Sequence, residues 1–227
     1  MKITDIVTGN IETWMHLHAR PLKREHGIRI SVPVTCYLLE HAGKKVLFDA
    51  GQVPLQYAQN PLSDYFVRMT DEQTAVCQLG KMGIAASDID LVIISHFHGD
   101  HIAGLRDFPD CKVLVQTPEV EKVKKYDNRI IAVDGEYDVS GDGAMVCIPT
   151  YGHSPGHQSL LLRRDDGSRL LLVGDAVYMP EALEYLPDEA EYAEKKEYFD
   201  SLGYLRALQS GGTELVFGHY PVEPVDI

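Results

Sequence analysis

Short apolar blocks closed by glycine, proline or acidic residues punctuate this chain, and they predict strands over residues 3–7, 28–40, 45–49, 87–94, 112–115, 130–133, 144–148, 158–163, 169–173 and 215–217. His41-Ala42-Gly43-Lys44 and Asp165-Asp166-Gly167-Ser168 read as the turns of two hairpins. Thr70 with Gln73 forms a capping-box pattern that opens a helix ending near Gly83. Thr117-Pro118-Glu119 starts a second helix with proline in its first turn, and residues 181–208 form a third, largely helical region whose acidic run, residues 181–197, reads as a solvated helix face. Strands mixed with helices in both halves, and no linker between them, predict one α/β domain over residues 1–227 with stacked sheets and outer helices. Residues 52–69 have no clean period; a loop this long that carries Tyr57, Tyr65 and Phe66 is expected to be functional. Residues 10–27 read either as an ordinary loop packing Trp14 or as a pocket rim or partner contact.

Composition narrows the function. The 34 acidic residues against 21 basic ones give a net charge of −13, a field that repels phosphate backbones and disfavours nucleic acid as a partner. Asp5 sits where a signal peptide needs an apolar core, and no apolar run reaches the ~20 residues of a membrane span, so a cytoplasmic protein without membrane contact is expected. Cys36, Cys77, Cys111 and Cys147 are widely spaced among apolar neighbours and read as reduced core residues.

The densest chemical signal is Ser95-His96-Phe97-His98-Gly99-Asp100-His101, which follows the apolar run Leu91-Val92-Ile93-Ile94. Such a run reads as a buried strand, which places three imidazoles and a carboxylate in the loop at its carboxyl end. Imidazole nitrogen and carboxylate oxygen are the donors that divalent ions accept. Three further apolar runs end alike, each with a glycine before a ligand-type residue: Gly152-His153, Gly174-Asp175 and Gly218-His219. His157 is expected to support a turn or a ligand from behind, and His16, His18, His26 and His41 are expected to be solvated.

His96-Phe97-His98-Gly99-Asp100-His101 resembles the H-x-H-x-D-H signature of the metallo-β-lactamase superfamily, and His153, Asp175 and His219 follow in that family's order. The resemblance implies a four-layer αββα sandwich holding two divalent ions. It places His96, His98 and His153 on the first ion, Asp100, His101 and His219 on the second, and Asp175 on both. Zinc is the ion implied, with iron and manganese also suited to these donors. A hydroxide held between the ions would attack a lactone or ester carbonyl of a small-molecule substrate. Retention of His98 departs from the oxygen-reductase branch, and Asp175 departs from class B β-lactamases. Residues 33–40, 152–160 and 175–178 look most like N-acyl homoserine lactonases, in which a tyrosine three residues after the bridging aspartate bonds the substrate; Tyr178 holds that position. Tyr178 as an oxyanion donor and Asp100 as a proton carrier are the catalytic residues expected. Gly99 stands where many lactonases carry a bulky residue. A glyoxalase-II-like thioesterase is the alternative, weakened because the chain stops soon after His219, without that family's basic helical region. A non-catalytic scaffold that keeps metals for folding is the other alternative, and a homodimer is compatible with everything above.

Overall fold

The computed structural model describes residues 1–18, 27–126 and 128–225. Its larger sheet contains β1 (Lys2–Trp14), β2 (Arg29–His41), β3 (Lys44–Phe48), β4 (Tyr65–Arg68), β5 (Leu91–Ile93), β6 (Lys112–Gln116) and β7 (Arg129–Val133) in the spatial order β4-β1-β2-β3-β5-β6-β7. The smaller sheet is built from β8 (Tyr137–Asp138), β9 (Met145–Pro149), β10 (Gln158–Arg163), β11 (Arg169–Gly174) and β12 (Glu214–Phe217), ordered β12-β11-β10-β9-β8, and β13 (Glu223–Pro224) returns to pair with β2. Strands β3, β5, β6 and β7 run parallel, as do β11 and β12, so their carboxyl ends point the same way within each sheet.

Side-chain alternation makes the layers. In the larger sheet Leu39, Phe48, Ile93 and Leu114 point inward, against Cys147, Leu160, Leu162, Leu170 and Leu172 of the smaller one. Their neighbours Leu38, Leu47, Val92 and Val113 face the other way, onto Leu79 of α2 (Ala75–Lys81), Ile102 of α3 (Gly99–Ile102), Leu105 and Phe108. Leu171, Val173 and Phe217 of the smaller sheet likewise meet Ala182 and Leu183 of one helix (Pro180–Leu183) and Phe199, Leu202 and Leu205 of another (Lys196–Ser210). Three apolar seams between four layers make an αββα sandwich, the architecture expected. No helix among the described residues is long and apolar enough to cross a membrane.

Several local expectations shift. β1 continues seven residues past Val7, through a register shift between Val7 and Asn10, and is followed by the short helix α1 (Met15–His18). Glu12 is buried in that strand, facing the guanidinium of Arg29 at 3.5 Å and paired with Arg68. The Gln73 side-chain oxygen does accept a hydrogen bond from the Thr70 N–H at 2.8 Å, but a three-residue 3₁₀ turn separates it from α2. Cys36, Cys111 and Cys147 are buried thiols, whereas Cys77 is exposed on α2, where the helix turns it away from Leu79. His41 is half-buried and pairs with Asp142 at 2.8 Å, and His26 lies outside the described residues.

Since both faces of β11 are packed, Leu171→Ala and Leu172→Ala should each cost about 2–5 kcal/mol. Urea denaturation of the two variants measures this, and a near-neutral result at one position would mean that its face lacks a sealed core.

Candidate metal centre

The carboxyl ends of β5, β9, β11 and β12 deliver all seven expected ligand residues to one rim. Two groups form there. One comprises His96, His98, His153 and Asp175, the other Asp100, His101 and His219, and the ligand-type atoms in each group lie within 4.8 Å of one another. Asp175 stands between the groups. Its Oδ2 faces His96 Nε2 (3.6 Å) and His153 Nε2 (3.4 Å), while its Oδ1 faces His101 Nε2 (3.3 Å) and His219 Nε2 (3.4 Å). Asp100 Oδ2 lies 3.3 Å from His219 Nε2 and 3.5 Å from His101 Nε2.

Tight backbone turns aim these side chains. Gly152, at φ 122°, lies so close to the Tyr198 backbone that a Cβ would sit 2.3 Å from its Cα, and Gly174 turns at φ 60° against the His157 ring. Behind the rim, hydrogen bonds fix the imidazole tautomers. Asp49 Oδ2 accepts from Ser95 Oγ (2.8 Å) and from His101 Nδ1 (2.7 Å), while its Oδ1 accepts from the Ser95 N–H (2.7 Å). Ser95 Oγ, having donated to Asp49, is left to accept from His96 Nδ1 at 3.0 Å, and His219 Nδ1 donates to the Pro33 carbonyl at 2.7 Å. In all three rings Nδ1 keeps a proton for the bond behind it, and Nε2 is the atom turned inward.

His157 acts one layer further back, as expected. Its Nε2 accepts from the Asp175 N–H (3.0 Å), so its Nδ1 donates to Thr150 Oγ1 (2.8 Å), which passes the chain to Ser159 and on to the Val173 carbonyl. Glu119, fully buried, holds the His153 loop by accepting from Ser154 Oγ (2.7 Å) and from the Gly156 N–H (2.6 Å). The Gln158 side chain donates to the Ile94 carbonyl across the two sheets. Asp49, Ser95, Glu119 and Gln158 carry no ligand signature, and the sequence pattern gives none of them a supporting role, although Asp49 closes a predicted strand, Ser95 opens the histidine motif and Gln158 lies in a segment that resembles lactonases.

Divalent cations fit this donor set. His96 Nε2, His98 Nδ1 and His153 Nε2 lie 2.9–3.2 Å from one another, so facing lone pairs repel unless a positive charge sits among them. That spacing is close to the ~3.3 Å between nitrogens in a tetrahedral shell with bonds of ~2.0–2.1 Å. His101 Nε2 and Asp175 Oδ1 are buried with no hydrogen-bond partner. Burial holds His96 well below the ordinary histidine range and His153 down to about 4, leaving both neutral and free to donate a lone pair. Burial also opposes charge on His101 and His219, but the carboxylates of Asp175 and Asp100 outweigh it, raising His101 well above its usual value and His219 to about 10. The carboxylates thus draw positive charge to this spot.

A cavity of about 1640 Å³ opens over the rim. Tyr178 stands half-buried in its wall, with ring centroids 5.6 Å from both His153 and His219. Of residues 52–69, read as a loop from the sequence, Tyr65–Arg68 form β4; Tyr57 and Tyr65 line the wall, whereas the ring of Phe66 packs under the Arg68 guanidinium. Two readings are corrected here. His18 is not solvated: it is buried against Tyr178, and burial followed by the nearby His219 lowers it to about 4, while His16 is half-buried in the same wall. The acidic run is not merely a solvated helix face, because Glu191, Glu194, Glu197 and Tyr198 also line the cavity.

Imidazole and carboxylate sets at one rim of an αββα sandwich define a class of metal-dependent hydrolases. Residues 30–219 match the profile of the metallo-β-lactamase superfamily, and the chain belongs to it, which implies divalent metal binding. The chain is 28% identical over 236 aligned positions to N-acyl homoserine lactonase AttM of Azorhizobium caulinodans, covering 90% of this chain and 88% of that one. It is 31% identical over 184 residues to the N-acyl homoserine lactonase of Bacillus cereus, covering 74% and 72%. Among solved structures it matches an N-acyl homoserine lactone hydrolase with the product N-hexanoyl-L-homoserine bound at the catalytic metal center, at TM-score 0.81 and 25% identity over 96% of this chain and 92% of that one.

Asp49→Ala strips three donors of their acceptor without removing a residue from the rim. It should weaken metal affinity about 10–100-fold, as measured by competition with a chromophoric chelator. Unchanged affinity would show that Asp49 does not orient the ring of His101.

Proposed function

We propose that residues 1–227 form one domain that acts as a dinuclear metal-dependent lactonase, with N-acyl homoserine lactones as the substrate class. The observation that carries this reading is Asp175 presenting one oxygen to each of two inward-facing donor sets beneath a half-buried tyrosine. In it His96, His98 and His153 would hold one ion, Asp100, His101 and His219 would hold the other, and Asp175 would serve both, with zinc the ion of choice and iron or manganese suited to the same donors. When bound, such a pair polarises a carbonyl and lowers the pKa of water from ~15.7 towards ~7, supplying a nucleophile near neutral pH.

The protein's own groups do the rest. Partial burial, then the charges of Asp175 and Asp100, hold the Tyr178 phenol well above its usual range, so its hydroxyl stays a donor at neutral pH. It donates to the substrate oxygen as negative charge develops there. Burial resists ionisation of Asp100, but His101 and His219 outweigh it and hold the carboxyl down to about 2. Ionised, Asp100 accepts at a carboxylate oxygen the proton given up by the attacking water and carries it to the ring oxygen as the acyl C–O bond breaks. The cavity is wide enough for an acyl chain beside the lactone, and Gly99 opens it further, since a Cβ there would meet nothing within 4 Å.

The test is to reconstitute the protein with zinc, manganese or iron and assay N-acyl homoserine lactones, a thioester, a generic ester and a bis-aryl phosphodiester in parallel. Lactone turnover is expected. Activity on the thioester alone would move the chain to the glyoxalase-II-like reading, and silence at full metal occupancy would leave a scaffold. Tyr178→Phe should lower kcat by about 10²-fold with metal content intact. Asp175→Asn should lose both metal and turnover, and wild-type behaviour in that variant would remove the bridge from the proposal.

A further inference from the structure

His18 belongs to neither donor set, yet it is among the most deeply placed groups at the rim. β1 runs to Trp14, and α1 then turns the chain over the mouth of the site, tied back by the Met15 N–H donating to the Ile28 carbonyl at 2.8 Å. The turn leaves His18 5% exposed. Its ring lies face to face with Tyr178, centroids 4.7 Å apart and planes inclined by 13°, and it meets His219 edge-on at 6.3 Å. No other aromatic ring among the described residues stacks on the Tyr178 face. His153 and His219 approach it at steep angles, 76° and 58°.

Among the described residues the Tyr178 hydroxyl has no hydrogen-bond partner, and the ring contacts of His18, His153 and His219 bear on the direction in which the phenol points. A flat ring on one face blocks the rotation that the edge-on contacts leave open. We propose that His18 is a positioning residue for Tyr178: its imidazole clamps the phenol over the junction of the two donor sets. This rests on the role given to Tyr178 above. It makes α1, an element remote in sequence from every motif, a determinant of turnover. The stacking face matters here and the ring nitrogens do not, so a phenyl ring should substitute for the imidazole.

The experiment compares H18A, H18F, Y178F and the H18A/Y178F double variant of the full chain, metal-reconstituted, with N-hexanoyl-L-homoserine lactone as the probe. H18A should lower kcat on the order of tenfold through misplacement of the phenol, with KM changed less. H18F should recover most of that loss. The double variant should match Y178F within about twofold, because a residue acting through Tyr178 has nothing left to position once the hydroxyl is gone. Metal content should be unchanged throughout, and crystal structures should show the Tyr178 ring turned in H18A and held in H18F. If H18A accumulates poorly, H18L replaces it, filling the space without a planar face.

Wild-type kcat in H18A beside an impaired Y178F would overturn the clamp and leave the role of Tyr178 standing. So would an additive loss in the double variant, a fall in bound metal in H18A, or failure of H18F to recover activity. Wild-type kcat in Y178F would instead remove the role of Tyr178, and the clamp with it.

Discussion

Like charges and facing lone pairs crowd one rim of this fold, and the hydrogen bonds behind them keep the crowding from relaxing. Asp49 is the centre of that restraint. Its backbone sits at φ 62°, a left-handed conformation that aspartate tolerates better than most residues, at the point where β3 ends. The turn directs its carboxylate under the next parallel strand, where Ser95 and His101 donate to it. The Asp49 N–H donates to the Ile93 carbonyl and the Ala50 N–H to that of His101, so backbone and side chain fix the same loop. With His101 and His96 unable to swing away, their Nε2 atoms stay turned into the rim.

Much of this was legible before any coordinates. Six residues carrying three imidazoles and a carboxylate after an apolar strand announce a metal site locally, and glycine before each distant ligand marks where a turn is needed. Strand β10 falls on the expected residues because its apolar run lies between clear turn signals. The sequence pattern ends β1 at Val7 because Asn10 and Glu12 fall in the polar stretch 10–27 that reads as loop. Glu12 is tolerated in a buried strand only through Arg29 and Arg68, partners that local pattern cannot supply. β13 holds just two residues, one of them Pro224, and β8 is as short, too little chain for a periodic signal.

The supporting residues were illegible for the same reason at longer range. Asp49 meets its partners 46 and 52 residues away, and Glu119 meets the His153 loop 35 and 37 residues on. His18 offers the sharpest case. Nothing around it in the sequence distinguishes it from a surface histidine, and its burial exists only because a helix turn brings it against Tyr178, 160 positions later in the chain. Local pattern specifies elements and ligand types, whereas the second layer of a site is a property of the assembled sandwich.

The donors come from both sheets: His96, His98, Asp100 and His101 follow β5 of one, and His153, Asp175 and His219 follow β9, β11 and β12 of the other. A cation held at this rim by both sets would act as a buckle between two halves that otherwise adhere through non-directional apolar contact. Whatever binds the native pairing and not the open chain adds to its stability by mass action. Metal supply in the surrounding medium would then govern not only turnover but how long each molecule survives, so that scarcity thins the population as well as idling it.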